Sequence, residues 1–251
     1  MVVNEALRIL RTVRYDAAHF SVFLQAGSIA AAAKPGQFVM VQAGDGLRPY
    51  LRRAFSVADV ATVAGVPGFE LVVRAVGVGT EALGRFAEGT PIPVLGPLGV
   101  PFPLDDLKQS DRVALVAGGI GLAPLVLLAR RLAERGIPAD LFYGGRNESE
   151  VLKRPDFERF LGAHRCRYAT DDGSLGKKGR VTDILGSALE AGTSYRRVYA
   201  CGPVPMFRAL AGMLEAAGVE GSFALESEMA CGCGVCLGCG LPGRDGRFHT
   251  I

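Results

Sequence analysis

Near Asp111 the apolar rhythm of this 251-residue chain changes, and the change leaves few folds open to it. Before that point, short β-rich runs at 6–14, 20–24, 37–42, 53–59, 69–75 and 91–95 are separated by glycine and proline. Six such runs at close spacing predict a small antiparallel barrel. After it, strand-like runs at 112–117, 140–143, 167–169 and 197–200 alternate with helically spaced segments at 124–135, 150–160, 181–191 and 205–217. Strands that alternate with helices pair in parallel, with helices on both faces. Pro97, Pro101 and Pro103 cluster between the two patterns and read as a linker. The expected fold class is therefore β + α/β: an antiparallel β-barrel over 1–103, a doubly wound parallel sheet over 104–220, and a small appended module over 221–251.

Composition removes several classes of function. Lysine and arginine total 28 against 25 acids, and no lysine or arginine block stands out beyond short pairs such as Lys177 and Lys178, so nucleic-acid binding has no support. The most apolar stretch, 113–129, is interrupted by Gly118, Gly119, Gly121 and Pro124 and is too short to span a bilayer, so no membrane insertion is expected. The N-terminus carries charge early and has no signal-like apolar run, which reads as a cytoplasmic start.

Four of the six cysteines fall at 231, 233, 236 and 239. Cysteines this close seldom reach the Cα spacing and Cβ direction that a disulfide needs, so a metal or cluster site is the better reading. Cys231, Cys236 and Cys239 form C-x4-C-x2-C, the spacing of three thiolate ligands in plant-type [2Fe–2S] proteins. The small and apolar residues between them suit a tight loop whose N–H groups face sulfur. A structural zinc site is the alternative, although zinc ribbons usually pair two separate CxxC knuckles. Cys233 is a weaker candidate for a fourth ligand, since it would crowd the loop.

Two glycine-rich turns stand in the second half. Gly118, Gly119 and Gly121 follow a buried strand, and Pro124 opens the next helix, a place where a phosphate can approach the backbone and the helix N-terminus. Cys201, Gly202 and Pro203 follow the strand at 197–200, and Met206 lies in the helix behind them. In a doubly wound sheet both turns lie at the carboxyl edge, where ligands bind. Each alone could be an ordinary strand-to-helix turn. No acid about twenty residues after the glycine turn is a clean ribose reader, although Asp140 lies in that neighbourhood and Arg146 could serve a 2′-phosphate, so NADH and NADPH both stay open.

In the first half, Arg53, Ala54, Phe55 and Ser56 form a β-like run in which the arginine can fork onto a pyrophosphate and the serine can reach a flavin edge. Val72, Val73 and Arg74 form a strand that leads to Gly77, Val78, Gly79 and Thr80, where threonine would cap a helix. An ordinary surface strand and capped helix would look the same.

Taken in order, these segments together with Gly96-Pro97-Leu98-Gly99 resemble the ferredoxin-reductase superfamily. Glu228-Met229-Ala230-Cys231-Gly232, with Cys236 and Cys239, is more closely similar to the electron-transfer subunits of the bacterial dihydroorotate dehydrogenase B complex. The resemblance spans essentially the whole chain. It implies FAD binding by Arg53, Ala54, Phe55 and Ser56, by Val72, Val73 and Arg74, and by Gly79 and Thr80. It implies NAD(H) binding by the Gly118 and Cys201 turns and [2Fe–2S] ligation by Cys231, Cys236 and Cys239. It also implies an FMN-containing catalytic partner that oxidises dihydroorotate in pyrimidine synthesis, in a heterotetramer of two plus two. Other electron-transfer complexes of the superfamily, of the NADPH–ferredoxin reductase, sulfide dehydrogenase or hydrogenase type, share the flavin and nucleotide motifs. A non-enzymatic zinc-binding interaction protein is the reading from outside the enzymes. Two departures stand out: Ala54 occupies a usual proline position, and the family's fourth cysteine lies beyond Cys239, where this sequence stops first.

Overall fold

The computed structural model describes residues 2–44 and 48–251. They form two units, one of Met1–Pro101 with Leu225–Ile251, the other of Phe102–Ala224.

The first unit is built from β1 (Val3–Arg14), β2 (His19–Gln25), α1 (Gly27–Ala32), β3 (Phe38–Val41), β4 (Arg53–Ser56), β5 (Asp59–Val63), β6 (Val66–Arg74), α2 (Val78–Leu83) and β7 (Pro91–Leu98). Its strands pair antiparallel in the order β4-β3-β7-β1-β2-β6-β5. The sheet curls until β4 and β6 touch. Ile9, Val22, Leu24, Val39, Val41, Leu71 and Val94 fill its interior. Each such side chain is worth about 1.5–3 kcal/mol when fully buried.

Among the described residues seven strands stand where six runs are predicted, because the run at 53–59 divides. The N–H of Val57 donates to Gln37 O at 2.9 Å and that of Ala58 to Glu70 O at 2.8 Å. Consecutive amides thus bond to different strands, and the chain passes from the β3 side of the barrel to the β6 side. β5 then turns back through Ala64 (φ 49°) and Gly65 (φ 81°) into β6. Two left-handed residues in a row suit a tight hairpin, a conformation alanine seldom adopts and so a weak signal in sequence. α1 is also unforeseen, being held by a single buried residue, Ile29.

The second unit contains β8 (Val113–Gly118), α3 (Ala123–Glu134), β9 (Ala139–Gly145), α4 (Arg154–Leu161), β10 (Cys166–Thr170), β11 (Lys177–Lys178), α5 (Val181–Glu190), β12 (Arg197–Cys201), α6 (Val204–Ala217) and β13 (Glu220–Phe223). All six strands run parallel in the order β11-β10-β9-β8-β12-β13. From β8 the chain moves outward to β9, whereas β12 moves the other way to β13. The gap between β8 and β12 is therefore the topological switch point, where a crevice opens at the carboxyl ends.

Two buried charges fix this unit. Asp140 on β9 is fully buried and takes Arg112 at 2.5 Å, Arg165 at 3.2 Å and the Tyr195 hydroxyl at 2.8 Å. Arg197 on β12 donates to Asp106, to Glu220 and to the Pro103 carbonyl. Phe102 packs edge-on against Tyr199, with ring centroids 5.3 Å apart. These contacts draw residues 102–106 into the second unit, so the boundary falls at Phe102 instead of after Pro103.

The module expected at 221–251 is not separate. Residues 221–223 belong to β13 on the parallel sheet, and Leu225–Ile251 groups with the barrel. The cysteine loop is followed by a hairpin of β14 (Gly240–Pro242) and β15 (Phe248–Thr250). Among the described residues no helix is long and apolar enough to cross a membrane.

Candidate cofactor sites

At the switch point, backbone meets backbone. A Cβ on Gly121 would lie 2.3 Å from the Cys201 carbonyl oxygen and 2.7 Å from the Gly202 nitrogen. One on Gly118 would meet Pro203 Cδ at 2.8 Å and Met206 Sδ at 2.9 Å, and one on Gly202 would strike Met206 Cε at 2.6 Å. Gly121, against backbone, and Gly118, against the Pro203 ring, therefore leave no room for a side chain where the turns after β8 and β12 touch, whereas at Gly202 the nearest obstacle is the flexible end of Met206. Gly119 differs: its φ is +53° and its Cβ direction is open. Pro124 is buried in the first turn of α3, where its missing N–H costs nothing. Cys201 is buried, and Met206 sits against both turns. The structure thus brings Gly118, Gly121, Cys201, Gly202, Pro203 and Met206 together, with the N-termini of α3 and α6 at the same edge. Helix N-termini beside a glycine-lined crevice suit the phosphates of a dinucleotide.

In the barrel, Arg53, Ala54, Phe55 and Ser56 form β4, in register with β3 from Val41 to Phe38. Arg53 is half-buried, and its Nη1 donates to Leu51 O at 2.7 Å. Its stem lies along Gly79, where a Cβ would stand 3.2 Å from Arg53 Nε and 3.2 Å from Pro49 Cγ. Glycine at 79 is thus what lets α2 approach the guanidinium. Thr80 is not the residue before the helix, as expected, but the third residue within it. Its hydroxyl reaches back to accept the N–H groups of Val76 at 2.9 Å and Gly77 at 3.2 Å. Gly77 holds the cap position in an extended conformation.

Val72 and Val73 are buried, and their strand is paired to β2 on one side. The β5 ladder on the other side ends at Glu70. From Leu71 to Arg74 that second edge has no strand partner among the described residues, leaving main-chain groups for a ligand. Tyr50, Leu51, Val76 and Val78 are exposed on the segments that flank Arg53 and Gly79. A cation, a glycine cradle, a free strand edge and apolar surface together fit a flavin nucleotide.

The cysteine loop is shaped by three left-handed residues, Gly232 (φ 68°), Gly234 (φ 78°) and Leu237 (φ 55°). It rests on the barrel, since a Cβ on Gly232 would be 2.5 Å from Met40 Cγ and 3.4 Å from Leu98 Cδ1. The Cys236 N–H donates to Cys231 Sγ at 3.4 Å. That N–H first, then the Cys233 N–H and the Cys236 thiol, bring the Cys231 thiol down to about 6. Cys239 is buried, whereas Cys233 and Cys236 are exposed. Cys231 and Cys236 are brought together; among the described residues, however, no three ligand-type side chains converge on a metal position. The thiolate donor set and the inward N–H groups suit iron–sulfur chemistry.

Asp140 is not a ribose reader. It lies at the amino end of β9, opposite the ligand edge, and its carboxylate is occupied by Arg112, Arg165 and Tyr195. Arg146 does lie at the carboxyl edge, immediately after β9.

An antiparallel barrel followed by a parallel sheet with helices is the ferredoxin-reductase fold, the architecture of pyridine-nucleotide-linked oxidoreductases. Residues 115–211 match the oxidoreductase NAD-binding domain family. A solved structure of an NADH-dependent reduced ferredoxin–NADP oxidoreductase, described for flavin-based electron bifurcation, is 28% identical with a TM-score of 0.81, over 94% of this chain and 82% of that one. The dihydroorotate dehydrogenase B (NAD(+)) electron-transfer subunit of Fusobacterium nucleatum is 37% identical over 82% of this chain and 76% of its own length. That of Geobacillus thermodenitrificans is 33% identical over 100% of this chain and 95% of its own. The chain belongs to this family of electron-transfer subunits.

Proposed function

We propose that this chain carries electrons between NAD(H), FAD and a [2Fe–2S] cluster, and exchanges them with an FMN-containing dihydroorotate dehydrogenase catalytic subunit in pyrimidine synthesis. The observation that carries this reading is the place of Met40. Its cross-strand partner is Ala54, in the middle of the proposed flavin strand, and its side chain supports Gly232 in the cysteine loop. Cross-strand partners lie about 4.5–5.5 Å apart. Flavin strand and thiolate loop are thus separated by a single side chain within one unit.

Arg53 would take the FAD pyrophosphate, with Gly79 giving it room and Thr80 holding the turn. Ala54, Phe55 and Ser56, with the open edge at Val72, Val73 and Arg74, would border the ring. The Gly118 and Cys201 turns would seat the NAD(H) phosphates, with Pro124 and Met206 keeping the turns rigid. Cys231, Cys236 and Cys239 would hold iron, and the N–H groups of Cys233 and Cys236 would stabilise the negative sulfur. The bound cofactors supply the chemistry, two-electron hydride exchange and one-electron transfer, and no side chain is needed as acid or base.

Val235 and Leu237 are 80% and 63% exposed on the cysteine loop, and Phe248 is 74% exposed on β15. Apolar surface of this kind, beside the cluster, suits the catalytic partner. The assembly would be two copies of each subunit, acting in the cytoplasm, where thiols stay reduced. Co-expression with a dihydroorotate dehydrogenase catalytic subunit tests the reading. The expected product co-elutes as one complex that reduces NAD+ with dihydroorotate. Separate elution, with no dihydroorotate-dependent NADH formation, would refute it.

A further inference from the structure

Arg146 follows the last residue of β9, one strand over from the Gly118 turn. In doubly wound dinucleotide domains this edge meets the adenosine ribose, where a carboxylate accepts from a 2′-hydroxyl and an arginine takes a 2′-phosphate. Alone, Arg146 would favour the phosphorylated nucleotide. It is held by Glu150 instead. Glu150 Oε1 accepts from Arg146 Nε at 2.7 Å and also from Nη2, and Oε2 accepts the Arg146 backbone N–H at 3.0 Å. The Glu150 side chain is 11% exposed, that of Arg146 66%. One carboxylate therefore fixes both the main chain and the fork of this arginine.

The surroundings act in the same direction. The loop after β10 is tied to this one, with Asp171 N donating to Gly145 O at 3.1 Å and Asp172 N to Arg146 O at 3.2 Å. This places two further acids beside Arg146. The next two cations along the chain are paired as well, Lys153 with Asp156 at 2.8 Å and Arg154 with Glu148 at 2.9 Å.

We infer that Glu150 sets nucleotide choice: by occupying the Arg146 fork it withholds the cation that would bind a 2′-phosphate, so the site takes NADH over NADPH. The inference rests on the reading of the Gly118 and Cys201 turns as the dinucleotide site. Releasing the fork should restore a charge-assisted bond to phosphate, which is worth about tenfold or more in binding.

The test uses the flavin-loaded complex with its catalytic subunit, and follows flavin reduction by NADH and by NADPH. Glu150→Gln keeps a hydrogen-bond acceptor for the Arg146 backbone but removes the charge. It is expected to raise kcat/KM for NADPH relative to NADH about tenfold, through KM, with flavin content unchanged. Adding Arg146→Ala should return the ratio to that of the unaltered complex, which a loop staple alone would not do. A Glu150→Gln ratio within twofold of the starting value would overturn the inference, as would a double variant that keeps the shifted ratio. A readout without any variant is competition by ADP and by 2′,5′-ADP: ADP should bind more tightly, and the reverse order would also overturn it. If neither NADH nor NADPH reduced the flavin of the unaltered complex, the dinucleotide reading would fall as well.

Discussion

Gly121 has no space for even a methyl group, because its Cβ position lies 2.3 Å from the Cys201 carbonyl oxygen. Gly121→Ala should push apart the turns after β8 and β12. Overpacking of this kind costs about 1–3 kcal/mol, so thermal unfolding should come several degrees earlier and flavin reduction by NADH should slow sharply. Arg53 is tested by substitution to alanine. Loss of a charge-assisted bond to pyrophosphate, about 1.5–3 kcal/mol, should leave purified protein with much less FAD, read from its visible absorption. Lysine should rescue this poorly, since it lacks the planar fork. Cys231 makes a prediction in pH. Its thiol is brought down to about 6, chiefly by the Cys236 N–H, against about 8.5 for an ordinary thiol. In chain stripped of iron, iodoacetamide should therefore modify Cys231 first at pH 7, with the rate falling as pH drops through about 6. Uniform labelling of the exposed cysteines would contradict this. At this scale the sequence already displayed the chemistry, since glycines, cysteines and Arg53 can be read by type and spacing. It did not display that Gly118, Gly121 and Gly202 serve contact between two turns far apart in the chain, which only the fold brings about.

β9 illustrates what an element adds. Its periodicity marks a buried strand, but the use of Asp140 depends on which end of the strand it occupies. At the amino end it anchors Arg112, Arg165 and Tyr195, and it is consumed there. Removing one partner of a buried ion pair costs about 3–5 kcal/mol. Asp140→Ala should thus destabilise the parallel-sheet unit strongly in urea unfolding while the barrel retains its flavin, whereas unchanged stability would count against an anchoring role. Elements with strong period and length, such as α3, α6, β8 and β12, were legible in the sequence. Those that were not depend on distant partners. β13 is a four-residue edge strand defined by pairing with β12, α1 hangs on Ile29, and β5 separates from β4 only because two neighbouring amides bond to different strands.

The order of motifs along the whole chain was legible, and so was the division into barrel and parallel sheet. The position of the cysteine segment was not, because nothing local in residues 225–251 says that Gly232 will pack on Met40 and Leu98. That packing places thiolates and the proposed flavin strand in one unit, and the central claim depends on it. The direct test is an anaerobic NADH titration of the complex with its catalytic subunit, following flavin absorption and the low-temperature electron paramagnetic resonance spectrum together. Bleaching of the flavin should be accompanied by the signal of a reduced [2Fe–2S] centre, and Met40→Trp, by wedging the loop off the barrel, should weaken that signal more than the bleaching. A flavin that bleaches fully in iron-loaded protein while no iron signal develops would contradict electron passage from barrel to thiolate loop.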